Sequence, residues 1–145
     1  MTGGSVSADS KITGVVLRPD EIRPADRGGG AKTIPLVVPS LGAKSLINGI
    51  TIIAPGAAIP LHSHNCEESV MVLEGDAIAE IDGVQHRLKP MDTTWLPANL
   101  PHRFINASDT QEMKIFWIYA DIAATRTLVE SGETCPIAAE HMKRV

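Results

Sequence analysis

Two imidazoles two residues apart, His62 and His64, are followed four positions later by the carboxylate of Glu68. Side chains alternate between faces along a strand, so His62 and His64 project to the same side and can converge on one ion. Glu68 shares their parity, and Val70 and Val72 continue that face as apolar pocket lining if the intervening turn preserves the alternation. A third nitrogen must come from another strand. His102 is the best candidate, on a short run in which Phe104 has the same parity. Three imidazoles and one carboxylate form a borderline ligand set suited to one divalent transition metal per chain: Fe, Mn, Ni, Co, Cu or Zn. With six-coordinate geometry such a set leaves two adjacent positions for water, substrate or oxygen, which describes a reactive site rather than a closed structural one. His86 and His141 have no comparable support, and solvent exposure is expected for both.

Other groups near this constellation carry weaker signals. Cys66 lies between His64 and Glu68; with Asn65 it is expected to form the turn between two strands, in a structural role or one behind the metal ligands. Glu67 has the opposite parity to Glu68 and should face out. Four of the five aromatics (Trp95, Phe104, Phe116, Trp117 and Tyr119) can reach a barrel interior. Ordinary core packing is the default for each, with Trp95 and Phe104 as the pocket candidates. Arg23, Arg27, Lys32, Arg103 and Arg126 could meet an anionic substrate if loops fold over the barrel mouth, but solvated charge is the default and the sequence singles out none.

Short strands must position these residues. Runs rich in β-branched residues fall at 34–38, 46–54, 61–64, 69–74, 77–82, 84–88, 93–96, 102–106 and 113–119, separated by turn chemistry at regular intervals. Pro55-Gly56 suits a type II turn, while Gly75-Asp76 and Asp82-Gly83 suit tight hairpins, because glycine accepts positive φ without a Cβ clash. This pattern predicts an all-β barrel or sandwich. A first short strand is expected at 13–17, a long loop at 18–32, and a helical tail near 137–143. The glycine run Gly28-Gly29-Gly30 lacks the Lys-Ser/Thr pair of a phosphate loop and reads as flexible. Residues 1–12 read as a flexible arm, and 13–145 as a single domain with its barrel core at about 45–120. On 113–119 both faces are apolar, so one is expected to pack inside and the other against a partner.

Composition sets the remaining bounds. The chain has 145 residues, 43% hydrophobic and 21% charged, a balance typical of one globular domain. A net charge of −4 argues against nucleic acid as a partner. The apolar runs are far shorter than the ~20 residues of a membrane helix, and the start of the chain lacks the apolar stretch of a signal peptide. No membrane association and a cytoplasmic location are therefore expected. The two cysteines are too few for a disulfide framework.

The segment 56–75 resembles the first motif of the cupin superfamily, G-x5-H-x-H-x3-E-x6-G, with Gly56, His62, His64, Glu68 and Gly75 at its defining positions. The segment 91–106 is similar to the second motif, keeping Pro97, His102 and Asn106 but carrying Met91 and Asn99 where the family has glycines. Asn99 can hold a left-handed backbone, whereas at Met91 a type I turn with negative φ is expected. The resemblance implies a double-stranded β-helix (jelly-roll) barrel with a short C-terminal helical tail. It also implies His62, His64, Glu68 and His102 as metal ligands, with Glu68 free to act as a base, and a homodimer. The leading expectation is a metal-dependent oxygenase acting on a small enol, phenol or keto compound. The alternatives are a non-oxidative isomerase, cyclase or lyase, and a non-catalytic cupin that binds a small ligand.

Overall fold

A computed structural model describes residues 13–141; the arm expected at 1–12 lies outside them. The described strands are β1 (Ala25–Gly28), β2 (Ala31–Pro35), β3 (Ile47–Ile53), β4 (His62–His64), β5 (Glu68–Glu74) and β6 (Ala77–Ile81). They continue with β7 (Val84–Leu88), β8 (Thr93–Leu96), β9 (His102–Asn106), β10 (Met113–Tyr119), β11 (Thr125–Leu128) and β12 (Thr134–Pro136). A single helical turn, α1 (Ile137–Glu140), follows. The strands form two antiparallel six-stranded sheets, in the orders β1-β2-β3-β10-β5-β8 and β12-β11-β4-β9-β6-β7. This is the jelly-roll barrel that the family resemblance implies, within the barrel or sandwich that the strand pattern predicts.

The alternation read from the sequence builds the core. On β3, β5 and β10 every second residue is buried, so Ile47, Ile53, Val70, Val72, Met113 and Ile115 from the first sheet share one apolar cluster with Ala77, Ala79 and Phe104 from the second. Ala79 pairs directly with Phe104, a small residue beside a large one, which lets the facing layers interdigitate. Trp117 also points inward. Its indole donates to Thr51 Oγ1 at 2.9 Å, and Thr51 in turn lies 3.2 Å from Thr33 Oγ1. Those contacts satisfy polar groups that burial would otherwise penalise.

Turn chemistry fixes the registers. Asp82 and Gly83 have φ of 50° and 83°, the two positive values of a type I′ hairpin, and they close β6 onto β7. Asn99 adopts φ 68° as expected, and its N–H donates to His64 O at 2.7 Å. At Met91 the expectation of negative φ was incorrect, since the residue sits at 81°. The neighbouring hydrogen bonds explain why: Met91 N–H donates to Val72 O at 2.8 Å and Asp92 N–H to Lys89 O at 3.0 Å. The side chain is 72% exposed, so only the backbone strain of about 1–2 kcal/mol has to be offset.

The ends of the chain depart most from expectation. Residues 13–17 form no strand, and the loop expected at 18–32 contains a 3-10 turn (Pro19–Glu21) and then the β1–β2 hairpin. Its glycine run is the hairpin's turn, with φ of 76°, 61° and 87° at Gly28, Gly29 and Gly30. Near the other end, β11 and β12 were not anticipated. Both are short, and neither shows the alternating burial of the core strands, so no period marks them in the sequence. The helix covers only Ile137–Glu140 rather than 137–143, and residues 142–145 lie outside the described chain.

Candidate metal centre

The second sheet delivers the three imidazoles and the first delivers the carboxylate. His62 and His64 flank Ser63 on β4, and His102 opens β9 directly opposite His62. Glu68 begins β5, paired with Tyr119 on one side and Leu96 on the other. The turn between β4 and β5 is clamped by Asn65, which accepts from Thr125 N–H at 2.8 Å and donates to Ala123 O at 3.3 Å. All four chemistry-bearing side chains are buried, with exposures between 1% and 4%. Candidate ligand nitrogens of the three histidines lie within 4.8 Å of one another.

The hydrogen bonds behind these rings determine what they present in front. His62 Nδ1 is 2.6 Å from Pro60 O, His64 Nδ1 is 3.0 Å from Thr125 O, and His102 Nδ1 is 2.8 Å from Leu100 O. A carbonyl accepts, so each Nδ1 carries the proton, and a neutral ring must then present a bare Nε2. Glu68 Oε1 lies 3.1 Å from His102 Nε2 and 3.3 Å from His64 Nε2, while His64 Nε2 is buried without a hydrogen-bond partner. Lone pairs thus converge with no proton to share among neutral rings. A cation is the species that reconciles them, so the donor set fits a divalent metal.

Electrostatics agrees in direction. Burial pushes His62 well below the ordinary imidazole range, reinforced by the like charges of His102 and His64. For Glu68, burial acts upward, but protonation of His102 and His64, whose Nε2 atoms would then donate to it, outweighs burial and holds the carboxyl at about 2. Both groups are depressed in the folded protein, so the unfolded chain binds more protons and stability falls with acid. His62 contributes the loss below about pH 6.5 and Glu68 extends it from about 4.5 down to about 2. The expected result for metal-free protein is a stability that declines below pH 6.5, by up to about 1.4 kcal/mol per pH unit for each extra proton. Urea titrations at stepped pH would measure it; a flat profile between pH 7 and 5 would contradict the His62 assignment.

Beside His62 and Glu68 lies a small, partly enclosed cavity, with room for an ion or a water. Its walls include Phe104, Ile115, Trp117 and Tyr119. Tyr119 packs edge-on against His64 at 4.6 Å, and burial, then the charge of Glu68, pushes its phenol upward, keeping it protonated. Phe104 lines this cavity, whereas Val70 and Val72 are fully buried in the core and are not among its walls. Trp95 is not a pocket residue. It is 63% exposed, because Thr94 and Leu96 take the inward positions of β8, and its indole N–H donates to Glu67 Oε1 at 2.8 Å on the outer surface.

Cys66 sits half-buried in the turn, with its thiol pushed up by burial; a thiol so placed is a poor nucleophile. His86 is exposed as expected, but His141 is buried and stacks on Trp117 at 6.0 Å, since α1 folds back against the barrel. Sequence reasoning did not assign Arg27, Thr51, Ile59 or Ile115 to the cavity. For Thr51 and Ile115 the inward parity of β3 and β10 was an available signal; for Arg27 and Ile59 there was none.

Comparison with known proteins resolves the family. The profile of the Cupin domain matches residues 49–119, and Protein SchB of Streptomyces halstedii is 32% identical over 98 residues, 67% of this chain and 71% of that protein. The chain belongs to the cupin family. A second relative of this cupin, Polyketide synthase CurC of Streptomyces cyaneus, is 35% identical over 66% of the chain and 63% of its own length. Among solved structures, the polyketide cyclase RemF from Streptomyces resistomycificus superposes with a TM-score of 0.69 at 16% identity, covering 86% of each chain. A predicted oxalate decarboxylase from Thermotoga maritima gives 0.66 at 21%, over 74% of this cupin and 99% of that chain. At such identities the structural matches establish the shared fold. No helix among the described residues is long and apolar enough to cross a membrane.

Proposed function

We propose that this cupin is a metal-dependent cyclase that activates a small keto or enol compound without consuming oxygen. The observation that carries this reading is the buried cluster of His62, His64, His102 and Glu68 beside an aromatic-walled cavity. The relatives named for polyketide chemistry favour the cyclase over the oxygenase that leads from the sequence alone. The three Nε2 atoms and the Glu68 carboxylate would hold one divalent metal. When bound, the metal supplies Lewis-acid polarisation of a substrate carbonyl.

The remaining chemistry belongs to the chain. Glu68, ionised in the folded protein, would be the base for a proton on the carbon beside the substrate carbonyl if its carboxylate leaves the metal. The protonated phenol of Tyr119 offers a donor to the oxygen that gains charge. Phe104, Ile115 and Trp117 give the space beside His62 and Glu68 apolar walls, which strengthens the electrostatics of the centre.

The test is anaerobic. Metal-free protein is reconstituted under argon with Zn(II), Ni(II), Mn(II) or Fe(II) and offered aromatic poly-β-ketones in deuterated water. Metal-dependent deuterium exchange next to the carbonyl, with ring-closed product that has lost water, is the expected result. Inactivity under argon with every metal, combined with oxygen uptake by the Fe(II) form, would replace this reading with an oxygenase.

A further inference from the structure

Of the cations the sequence offered as anion ligands, two meet in the fold. Arg27 comes from β1 in the first sheet and Arg126 from β11 in the second, and both converge on Glu140 of α1. Arg27 Nη2 is 3.5 Å from Glu140 Oε1, and Arg126 Nε is 2.6 Å from Glu140 Oε2. The three side chains are 11%, 16% and 12% exposed, so this cluster is almost as buried as the core. Two guanidiniums face one buried carboxylate. Asp26 and Glu133 line the same space, but both are exposed, and Asp26 already accepts from Gly28 N–H at 2.9 Å.

Glu140 leaves this pair under-satisfied. Arg27 Nη1 reaches Thr33 Oγ1 at 3.4 Å, but Arg27 Nε and Arg126 Nη1 are buried with no acceptor. A desolvated, unpaired donor on a charged group is costly, and Glu140 Oε2 is itself buried without a hydrogen bond, so a carboxylate better placed between the two guanidiniums would be held more tightly than Glu140. The location adds a second argument. Arg27 lines the small cavity beside His62 and Glu68, and it also lines two larger cavities of about 240 and 260 Å³ in which Arg126 takes part. The inner cavity is too small for an organic substrate, so Arg27 stands between the space a substrate can enter and the histidines.

We propose that Arg27, Arg126 and Glu140 form a carboxylate-exchange gate: the carboxylate of an organic acid displaces Glu140 from the two arginines and opens the path to the histidines. Glu140 shows by its own position what the guanidiniums bind. It rides on a four-residue helix anchored by Ile137 and by His141 on Trp117, so its release is a swing of the Glu140 side chain with the helix left in place. The substrate of this cupin is then a keto acid rather than a neutral ketone, an identity that rests on the cyclase reading for its keto group alone.

Calorimetric titration with 3-benzoylpropionate and with its methyl ester tests the gate, using metal-free and Zn(II)-loaded protein. The acid is expected to bind at least about tenfold more tightly than the ester, the effect of roughly one charge-assisted hydrogen bond. Glu140→Gln removes the internal competitor and is expected to tighten the acid about tenfold while leaving the ester unchanged. Arg126→Gln should abolish the preference; if that variant does not fold, Arg27→Gln serves the same comparison and Glu140→Gln decides by itself. Equal binding of acid and ester by the wild type, or unchanged acid affinity in Glu140→Gln, overturns the gate. Acid preference without turnover of any ketone would leave the gate standing and remove the cyclase; turnover without acid preference would do the reverse.

Discussion

Replacing His102 by alanine is expected to reduce bound divalent metal to background and to make the melting temperature insensitive to chelator. His102 supplies the nitrogen that β9 brings to the pair on β4, directly across from His62. Losing a partner behind a metal ligand lowers affinity by about 10–100-fold, and losing a ligand itself should exceed that. Wild-type protein at a metal concentration ~1,000-fold above its dissociation constant gains about 4 kcal/mol from binding, so chelation should lower its melting temperature clearly. The His102→Ala variant should show no such shift. Elemental analysis of His62→Ala and His102→Ala provides the direct count. Wild-type occupancy in both would remove the metal assignment.

Gly49→Ala is expected to destabilise the barrel by about 3 kcal/mol, a decrease of roughly 10 °C in melting temperature. Gly49 lies on β3 between Pro35 of β2 and Trp117 of β10. A Cβ there would sit 2.6 Å from Ile34 O and 2.6 Å from Trp117 Cζ2. The carbonyl belongs to a paired strand and cannot retreat. The indole is pinned through its N–H to Thr51, and its ring contacts Tyr119 at 5.0 Å and His141 at 6.0 Å. Relief of the clash therefore moves a wall of the cavity beside His62 and Glu68, so the variant should lose affinity for added Zn(II) as well as stability. Thermal unfolding with and without Zn(II) separates the two effects, and a melting temperature within 2 °C of wild type would show that the strands accommodate the methyl by about the precision of such a scan.

The parts of the molecule that follow a period were legible in the sequence. The strands from β3 to β10 matched their expected positions to within a residue or two, because burial alternates along most of them and Gly56, Gly75 and Gly83 mark their turns. The histidine and glutamate cluster was legible for the same reason: strand parity and motif spacing turn those side chains inward, three from one sheet and one from the other. What was hidden depends on chain crossings that no local pattern records. Arg27 is an ordinary surface-type residue until β1 pairs with β2 and brings it against Arg126 of the other sheet. His141 looked solvent-exposed until α1 folded onto Trp117. Trp95 shows the converse: its place near the two motifs suggests an inward aromatic, but its own strand assigns the inner positions to Thr94 and Leu96.

The main-chain carbonyls behind the three imidazoles have an evolutionary consequence. Pro60 O and Leu100 O lie two residues before His62 and His102, and Thr125 O belongs to the strand beside His64. Where a side chain fixes a metal ligand, one mutation can delete the support. Here the acceptors are backbone atoms, so substitution at those positions leaves the carbonyl in place and the tautomer of each ring is buffered against drift. Descendants of this chain can therefore rewrite the cavity wall and the arginine mouth, exploring new substrates, while the electronic character of the centre is inherited unchanged.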